Sequence, residues 1–229
     1  MPDFDLSLQS ARDLNAALHL TGAEADPGPW RIRNPSGEHN IAVGVDASVD
    51  IQVLGHVGYF CAGMNRGARI AIEGNAGQGV AENMEAGLVH VMGDASQSAG
   101  ATGRGGLLLI EGNASARCGI SMKGIDIVVK GEIGHLSAFM GQTGRLVAFR
   151  GAGEALGDSI YEARLYVRGP VASLGADCIE KEMRDEHLLE LTSLLEAAGE
   201  ARKIDVREFR RFGSARKLYN FNIDNAGAY

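Results

Sequence analysis

The sequence predicts an all-β chain wound as a right-handed parallel β-helix of about seven coils, with a short N-terminal segment and a helical C-terminal tail. Two ladders and one compositional shift lead there. The chain reads apolar-x-apolar-x-Gly seven times, at Ile51–Gly55, Ile70–Gly74, Val89–Gly93, Leu108–Gly112, Ile127–Gly131, Val147–Gly151 and Leu165–Gly169, with the glycines spaced 19, 19, 19, 19, 20 and 18 residues apart. Small residues form a second ladder, since Ala62, Ala81, Gly100, Gly119 and Ala138 each follow their glycine by seven residues. Of the 32 glycines, 25 lie between Val49 and Gly175, so the repeat is distinct in composition from its flanks. A fixed period of this length is the mark of a solenoid.

The physics of one unit gives its shape. Alternation with period two sends Ile70 and Ile72 to one side of a strand and Ala71 and Glu73 to the other. So short a strand buries its apolar side only by stacking on copies of itself. The remainder of each unit, such as Gly74-Asn75-Ala76-Gly77-Gln78-Gly79, is built of residues that turn easily, allow close backbone approach and form poor helices. A leucine-rich repeat shares part of the pattern at Leu108, Ile110 and Asn113, but its back half often requires a helical segment where this chain places small residues.

Three regions follow: residues 1–40 as an N-terminal cap, 41–178 as the β-helix and 179–229 as a helical, basic-aromatic tail. In the first, a helix begins near Ser10 with Leu14, Ala17 and Leu18 on one stripe. Pro27-Gly28-Pro29 ends any regular element, Arg31–Gly37 reads as a strand and turn, and Ile41–Val45 as the strand that leads into the coils. In the tail, Glu180 to Gly199 carries a Leu188, Leu191, Leu195, Ala198 stripe and a terminating glycine. A second short helix is expected at Asp205, with Glu208 completing a capping box.

The inward positions of the strands are Ile51, Ile70, Val89, Leu108, Ile127, Val147 and Leu165. The first outward row is then Gln52, Ala71, His90, Leu109, Val128, Ala148 and Tyr166, and the second Leu54, Glu73, Met92, Glu111, Lys130, Arg150 and Arg168. The first row is too apolar to face water along its length, so the terminal segments or a partner must cover it. Between Ala201 and Lys217, Arg202, Lys203, Arg207, Arg210, Arg211, Arg216 and Lys217 stand against Asp205 and Glu208, with Phe209, Phe212, Tyr219 and Phe221 interleaved. On a chain of net charge −7 such a tail is expected to dock on a neighbouring protein, and nucleic acid is not expected as a partner.

No self-contained active site is legible, and no catalytic, cofactor-binding or metal-binding residue is assigned. Gly100-Ala101-Thr102-Gly103-Arg104-Gly105-Gly106 resembles a phosphate-binding loop, but a strand at Leu107–Glu111 follows it where a helix N-terminus is required. His19, His39, His56, His90, His135 and His187 show no metal-ligand spacing, and Glu82 and Glu85 fall in turns without a periodic partner. Cys61 and Cys118 each follow a glycine by six residues and so share one corner three coils apart. Coils about 4.8 Å apart hold them roughly 14 Å from one another, too far for a disulfide or a shared metal. Buried thiols, with Cys178 beyond the last coil, suit a reducing compartment. With no apolar run near the ~20 residues of a membrane span and an acidic start at Met1–Asp5, a cytoplasmic location is expected, with no membrane association.

The repeat, sampled by Gly74–Gly79 and Gly131-Glu132-Ile133-Gly134, resembles the GXGXG domain, the right-handed β-helix ending the large subunit of glutamate synthase. One of the subunits of formylmethanofuran dehydrogenase is similar. The flanks Asn34-Pro35-Ser36-Gly37-Glu38-His39-Asn40-Ile41-Ala42-Val43-Gly44 and Phe209–Phe221 resemble the free-standing form of that domain, the GlxC type, found in N-methylglutamate synthase (methylamine–glutamate N-methyltransferase). The resemblance implies a scaffold without catalytic residues or a cofactor of its own. It implies two partners in a higher oligomer: a class II glutamine-amidotransferase-like subunit and an FMN-binding glutamate-synthase-like subunit, the latter with or without an iron–sulfur cluster. The alternatives are a component of a formylmethanofuran-dehydrogenase-like complex and a stand-alone binding solenoid.

Overall fold

The structure, a computed structural model, describes residues 2–20, 29–200 and 204–216. It is a parallel β-solenoid of about seven turns. Its strands are β1 (Asp3–Asp5), β2 (Trp30–Arg33), β3 (Asp50–Val53), β4 (Arg66–Ile72), β5 (Ala86–Val91), β6 (Leu107–Ile110), β7 (Lys123–Val129), β8 (Glu132–Ile133), β9 (Thr143–Ala148), β10 (Gly151–Ala152), β11 (Arg164–Val167), β12 (Cys178–Lys181) and β13 (Arg210–Ser214). Two helices are present among the described residues besides a 3₁₀ turn, α1 (Ala11–Leu20) and α2 (Asp185–Ala197). One eleven-stranded sheet runs β1-β2-β3-β4-β5-β6-β7-β9-β11-β13-β12, parallel as far as β11. A narrow second face is made of the β8–β10 pair and single bridges through Val57, Ala76, Ala95, Ala114 and Ile133.

Register puts Ile51, Ile70, Val89, Leu108, Ile127, Leu146 and Leu165 in one stack, all essentially without exposure. Six of the seven expected inward residues hold; the seventh is Leu146 rather than Val147. Val129 pairs with Ala148 and Glu132 with Gly151, so the coil is 19 residues here too and Arg150, not Gly151, occupies the repeat position. The outward rows therefore contain Val147 and Phe149 in place of Ala148 and Arg150.

The reason a glycine is absent at that one position lies in the coil beneath. His56 Nδ1 accepts the Asn75 N–H, Asn75 Oδ1 the Asp94 N–H, Asp94 Oδ1 the Asn113 N–H and Asn113 Oδ1 the Glu132 N–H, at 2.6–2.9 Å. Each reaching side chain fills the space beside the glycine of the next coil. A Cβ on Gly93, Gly112 or Gly131 would stand 2.1–2.3 Å from the side-chain oxygen of Asn75, Asp94 or Asn113. Among the described residues the ladder ends at Glu132, so Arg150 meets no such oxygen and a side chain fits.

The second ladder marks a corner of unusual backbone. Residues 98, 100 and 102 are all left-handed, as are their equivalents in the other coils, from Asn40, Ala42 and Gly44 to Ala155, Gly157 and Ser159. The first and third donate to the following coil and the second to the preceding one: Ser98 to Ala116 O, Gly100 to Val80 O, Thr102 to Ile120 O, at 2.8–2.9 Å. A left-handed non-glycine costs about 1–2 kcal/mol, and a buried, unpaired N–H about 1–3 kcal/mol. The two magnitudes are similar, so the corners between coils hold because their strained residues, such as Ser98, Gly100 and Thr102, make inter-coil bonds. Ile41–Val45, expected as a strand, is the first of these corners, since Asn40 and Gly44 donate to Tyr59 O and Gly63 O.

The ends are closed by the chain itself. At the N-terminal end α1 buries Leu14 and Leu18 in the core cluster that holds Phe4, Trp30 and Ile32, as its stripe foretold, and Asn15 and His19 tie it to Asn40 O and Val43 O. β1, parallel to β2, was not foreseen because three residues carry no period. At the other end the expected helix from Glu180 to Gly199 splits: β12 takes the first residues and α2 the rest. β13 inserts antiparallel between β11 and β12, which places Phe212 in the main core.

The Asx–glycine coupling gives a paired test. Gly112→Ala should destabilise the chain by about 1–3 kcal/mol, because its Cβ displaces the Asp94 bond. Arg150→Ala, at the equivalent position without a ladder beneath it, should stay within about 0.5 kcal/mol of the parent. Urea unfolding of the two variants checks both.

Candidate functional site

The outer face of the large sheet is where the sequence placed its unexplained apolar row, and it divides in two. Toward the C-terminal end Leu109, Val128, Val147 and Tyr166 are buried with Phe149 beneath Leu191, Leu194 and Leu195 of α2, Ala198 just past its end, and Phe209. The cover is therefore this chain's own. The described part of the tail docks at home: Phe149 and Phe209 meet edge to face at 5.5 Å, and Phe212 is core. Arg202, Lys203, Lys217, Tyr219 and Phe221 lie outside the described residues. The second helix is a single 3₁₀ turn at Val206–Glu208, where Asp205 caps the Arg207 N–H while Glu208 pairs with Arg168 at 3.1 Å instead of closing a capping box.

Charged side chains fasten α2 along its length. Glu190 accepts from Arg164 Nη1 at 2.8 Å and from the Tyr166 hydroxyl at 2.7 Å, and burial together with that carboxylate pushes the Tyr166 hydroxyl well above its ordinary range. Arg145 beside them is paired to Asp126. Lys130 bridges Glu111 at 2.5 Å and Glu200, just past the helix, at 2.6 Å, while His90 Nε2 meets Glu111 at 2.7 Å. Burial opposes the charge on Glu111, yet the bonds from Lys130 and His90 hold its carboxyl below the usual range.

At the helix start His187 is buried, and its Nδ1 accepts the Arg184 N–H at 3.2 Å. Burial, then the Arg211 cation, lowers its affinity for a proton; Glu186 and Glu190 oppose this weakly, and Arg164 adds to it. The other histidines are dispersed. His39 stacks on Tyr59 with centroids 4.4 Å apart, His19 meets Val43 O at 2.7 Å, His56 heads the Asx ladder and His135 is exposed. Among the described residues no three His, Cys, Asp or Glu side chains converge as a metal would require.

The Gly100–Gly106 stretch is a coil corner followed by β6, with no helix to receive a phosphate. Glu82 is half-buried, and burial raises its carboxyl; Glu85 lies between Arg66 and Arg104, at 3.3 and 3.8 Å. Cys61 and Cys118 occupy the same inward corner, buried and free, and desolvation pushes both thiols up to about 12. Cys178 is also a buried free thiol. No described helix is long and apolar enough to cross a membrane.

These features define a class of protein: a parallel β-solenoid whose outer sheet face seats a helix of its own chain. No protein-family model matches the chain, and no solved structure does. Among curated proteins it is similar to Protein GlxC of Rhizobium meliloti (strain 1021), with 60% identity over 229 residues that cover 100% of each chain. The chain belongs to the GlxC family.

The histidine cap yields a pH prediction. An unfolded imidazole binds its proton near pH 6.5, and His187 binds it only at lower pH. Between those values the unfolded state carries more protons, so stability falls as the pH drops below about 6.5 and is level above it. His187→Asn keeps an acceptor at the cap and should flatten that slope; melting temperatures at pH 7.5 and 5.5 measure it.

Proposed function

We propose that this chain is the structural subunit of a glutamate-synthase-like complex, namely N-methylglutamate synthase, which converts methylamine and L-glutamate to N-methyl-L-glutamate and ammonia. In this reading it holds a class II glutamine-amidotransferase-like subunit and an FMN-binding glutamate-synthase-like subunit together in the cytoplasm. The reacting groups, the FMN and any iron–sulfur cluster belong to the partners, and this chain carries no cofactor of its own. The observation that carries the reading is a hydrogen-bonded solenoid whose outer face is only half covered, in a sequence that resembles the glutamate-synthase β-helix.

The physical task suits the fold. An amine released at one site and consumed at another must travel a fixed path or be lost to solvent. Coils joined at strand, bridge and corner resist hinging, because any bend between two coils breaks several bonds together. Specificity for the amine then lies on the partner chains, and substitutions here alter assembly or coupling before chemistry.

Reconstitution from three purified chains, followed by omission of this one, tests the proposal. Omission should abolish coupled N-methylglutamate formation while the amidotransferase-like chain keeps its own partial reaction. Full-rate synthesis by the other two chains alone would refute a scaffold role. The purified chain should also be colourless, and a stoichiometric flavin on it would contradict the assignment of FMN to a partner.

A further inference from the structure

α2 covers only half of the furrow on the outer face. The same rows continue toward the N-terminal end as His90, Ala71 and Gln52, with Met92, Glu73 and Leu54 beside them, on or just after β5, β4 and β3. A groove of about 280 Å³ opens there, lined by Pro29, Gln52, Arg69, Ala71, Leu88 and His90 among others. Met92 at its side is 46% exposed although it sits in the middle of the sheet. Leu88 and Ala71 are half-buried, and no described element lies over them.

The covered half shows what such a furrow accepts. The thirteen residues of α2 span about 20 Å at 1.5 Å per residue. They lie over β6, β7, β9 and β11, four strands at about 4.8 Å spacing. The strands left open, β1 to β5, are five, so the stretch has room for a helix of about twelve residues. Charge selects further. In the covered half the second-row carboxylate, Glu111, is neutralised by Lys130. Two coils earlier Glu73 is exposed, it accepts a hydrogen bond from the uncharged Gln52 side chain, and it takes part in no ion pair among the described residues.

We propose that the open half of the furrow seats an amphipathic helix of a partner subunit, laid end to end with α2. Its apolar stripe rests on Ala71, Leu88 and Met92, and a basic residue on its edge meets Glu73. The proposal rests on the functional reading above, and the helix belongs to one of the two enzymatic chains. Residues 21–28, which adjoin Pro29, and a second copy of this chain are the competing covers.

The test uses the full chain, the variants Ala71→Arg and Met92→Arg, and the amidotransferase-like and FMN-binding chains as the probe. Each variant alone should melt within about 2 °C of the parent, as an exposed site allows. Affinity for the partner chains should fall at least about 30-fold, as at a packed interface centre. A parent that binds, with both variants binding equally well, overturns the groove as the interface and leaves the functional reading standing. A parent that binds neither chain defeats both. A melting loss of many degrees in both variants assigns the cover to the chain's own residues 21–28, and a parent dimer dissociated by either variant assigns it to a second copy; each overturns the proposal.

Discussion

The structure depends on one constraint: apart from short turn bonds such as Met84 N–H to Ala81 O, each coil satisfies its backbone on the coils above and below. In the strands this is an ordinary parallel ladder. At the corners the chain must turn without losing inter-coil bonds, and alternating left-handed residues achieve it by sending successive N–H groups in opposite directions. Where the backbone alone does not suffice, the His56–Asn75–Asp94–Asn113 series supplies side-chain acceptors. Gly93, Gly112 and Gly131, which look like flexible punctuation, are there for a steric reason, since a side-chain oxygen from below occupies the position of their missing Cβ.

That constraint explains what was legible and what was not. The period, the inward stack and the shared corner of Cys61 and Cys118 are visible because stacking in register forces similar residues to equivalent positions. The displacement at Gly151 misled the alternation by one residue because Leu146-Val147-Ala148-Phe149 is apolar on both faces and offers no parity to count. The ladder beneath held the missing signal: Glu132 breaks the Asn/Asp series, so a glycine was no longer required one coil on. Ile41–Val45 reads as β by composition, and only its place in the corner register, through Asn40 and Gly44, shows that it turns.

The outer face was legible as a problem rather than as a solution. Its apolar row demanded a cover, and neither helix pattern nor charge count says whether a cover comes from within or without. The structure places Leu191, Leu194 and Leu195 there and pins them with Glu190 and Glu200. The arginines of the tail, which read as a docking patch, are largely engaged inside the chain: Arg211 donates to Glu182 O, Arg210 to Glu180 and Gly169 O, and Arg216 to Asp177. A run of like charge in sequence becomes a set of separate local partners once β13 is inserted between β11 and β12, because alternate residues of a strand face opposite sides.

The division of the furrow follows from the same geometry. A solenoid exposes a sheet face in proportion to its length, and each added coil adds another apolar or polar position to the outer rows. One terminal helix of thirteen residues reaches across four strands and no further. Beyond its end the rows become smaller and more polar, from Leu109 to His90, Ala71 and Gln52, yet Leu88 and Met92 keep an apolar floor that water covers poorly. A chain that needed no partner could have continued that gradient to a fully polar surface, as Gln52 and Glu73 begin to do. Leu88, Ala71 and Met92 next to a carboxylate that takes part in no ion pair among the described residues are the arrangement expected of the proposed docking surface, wet in the isolated chain and dry in an assembly.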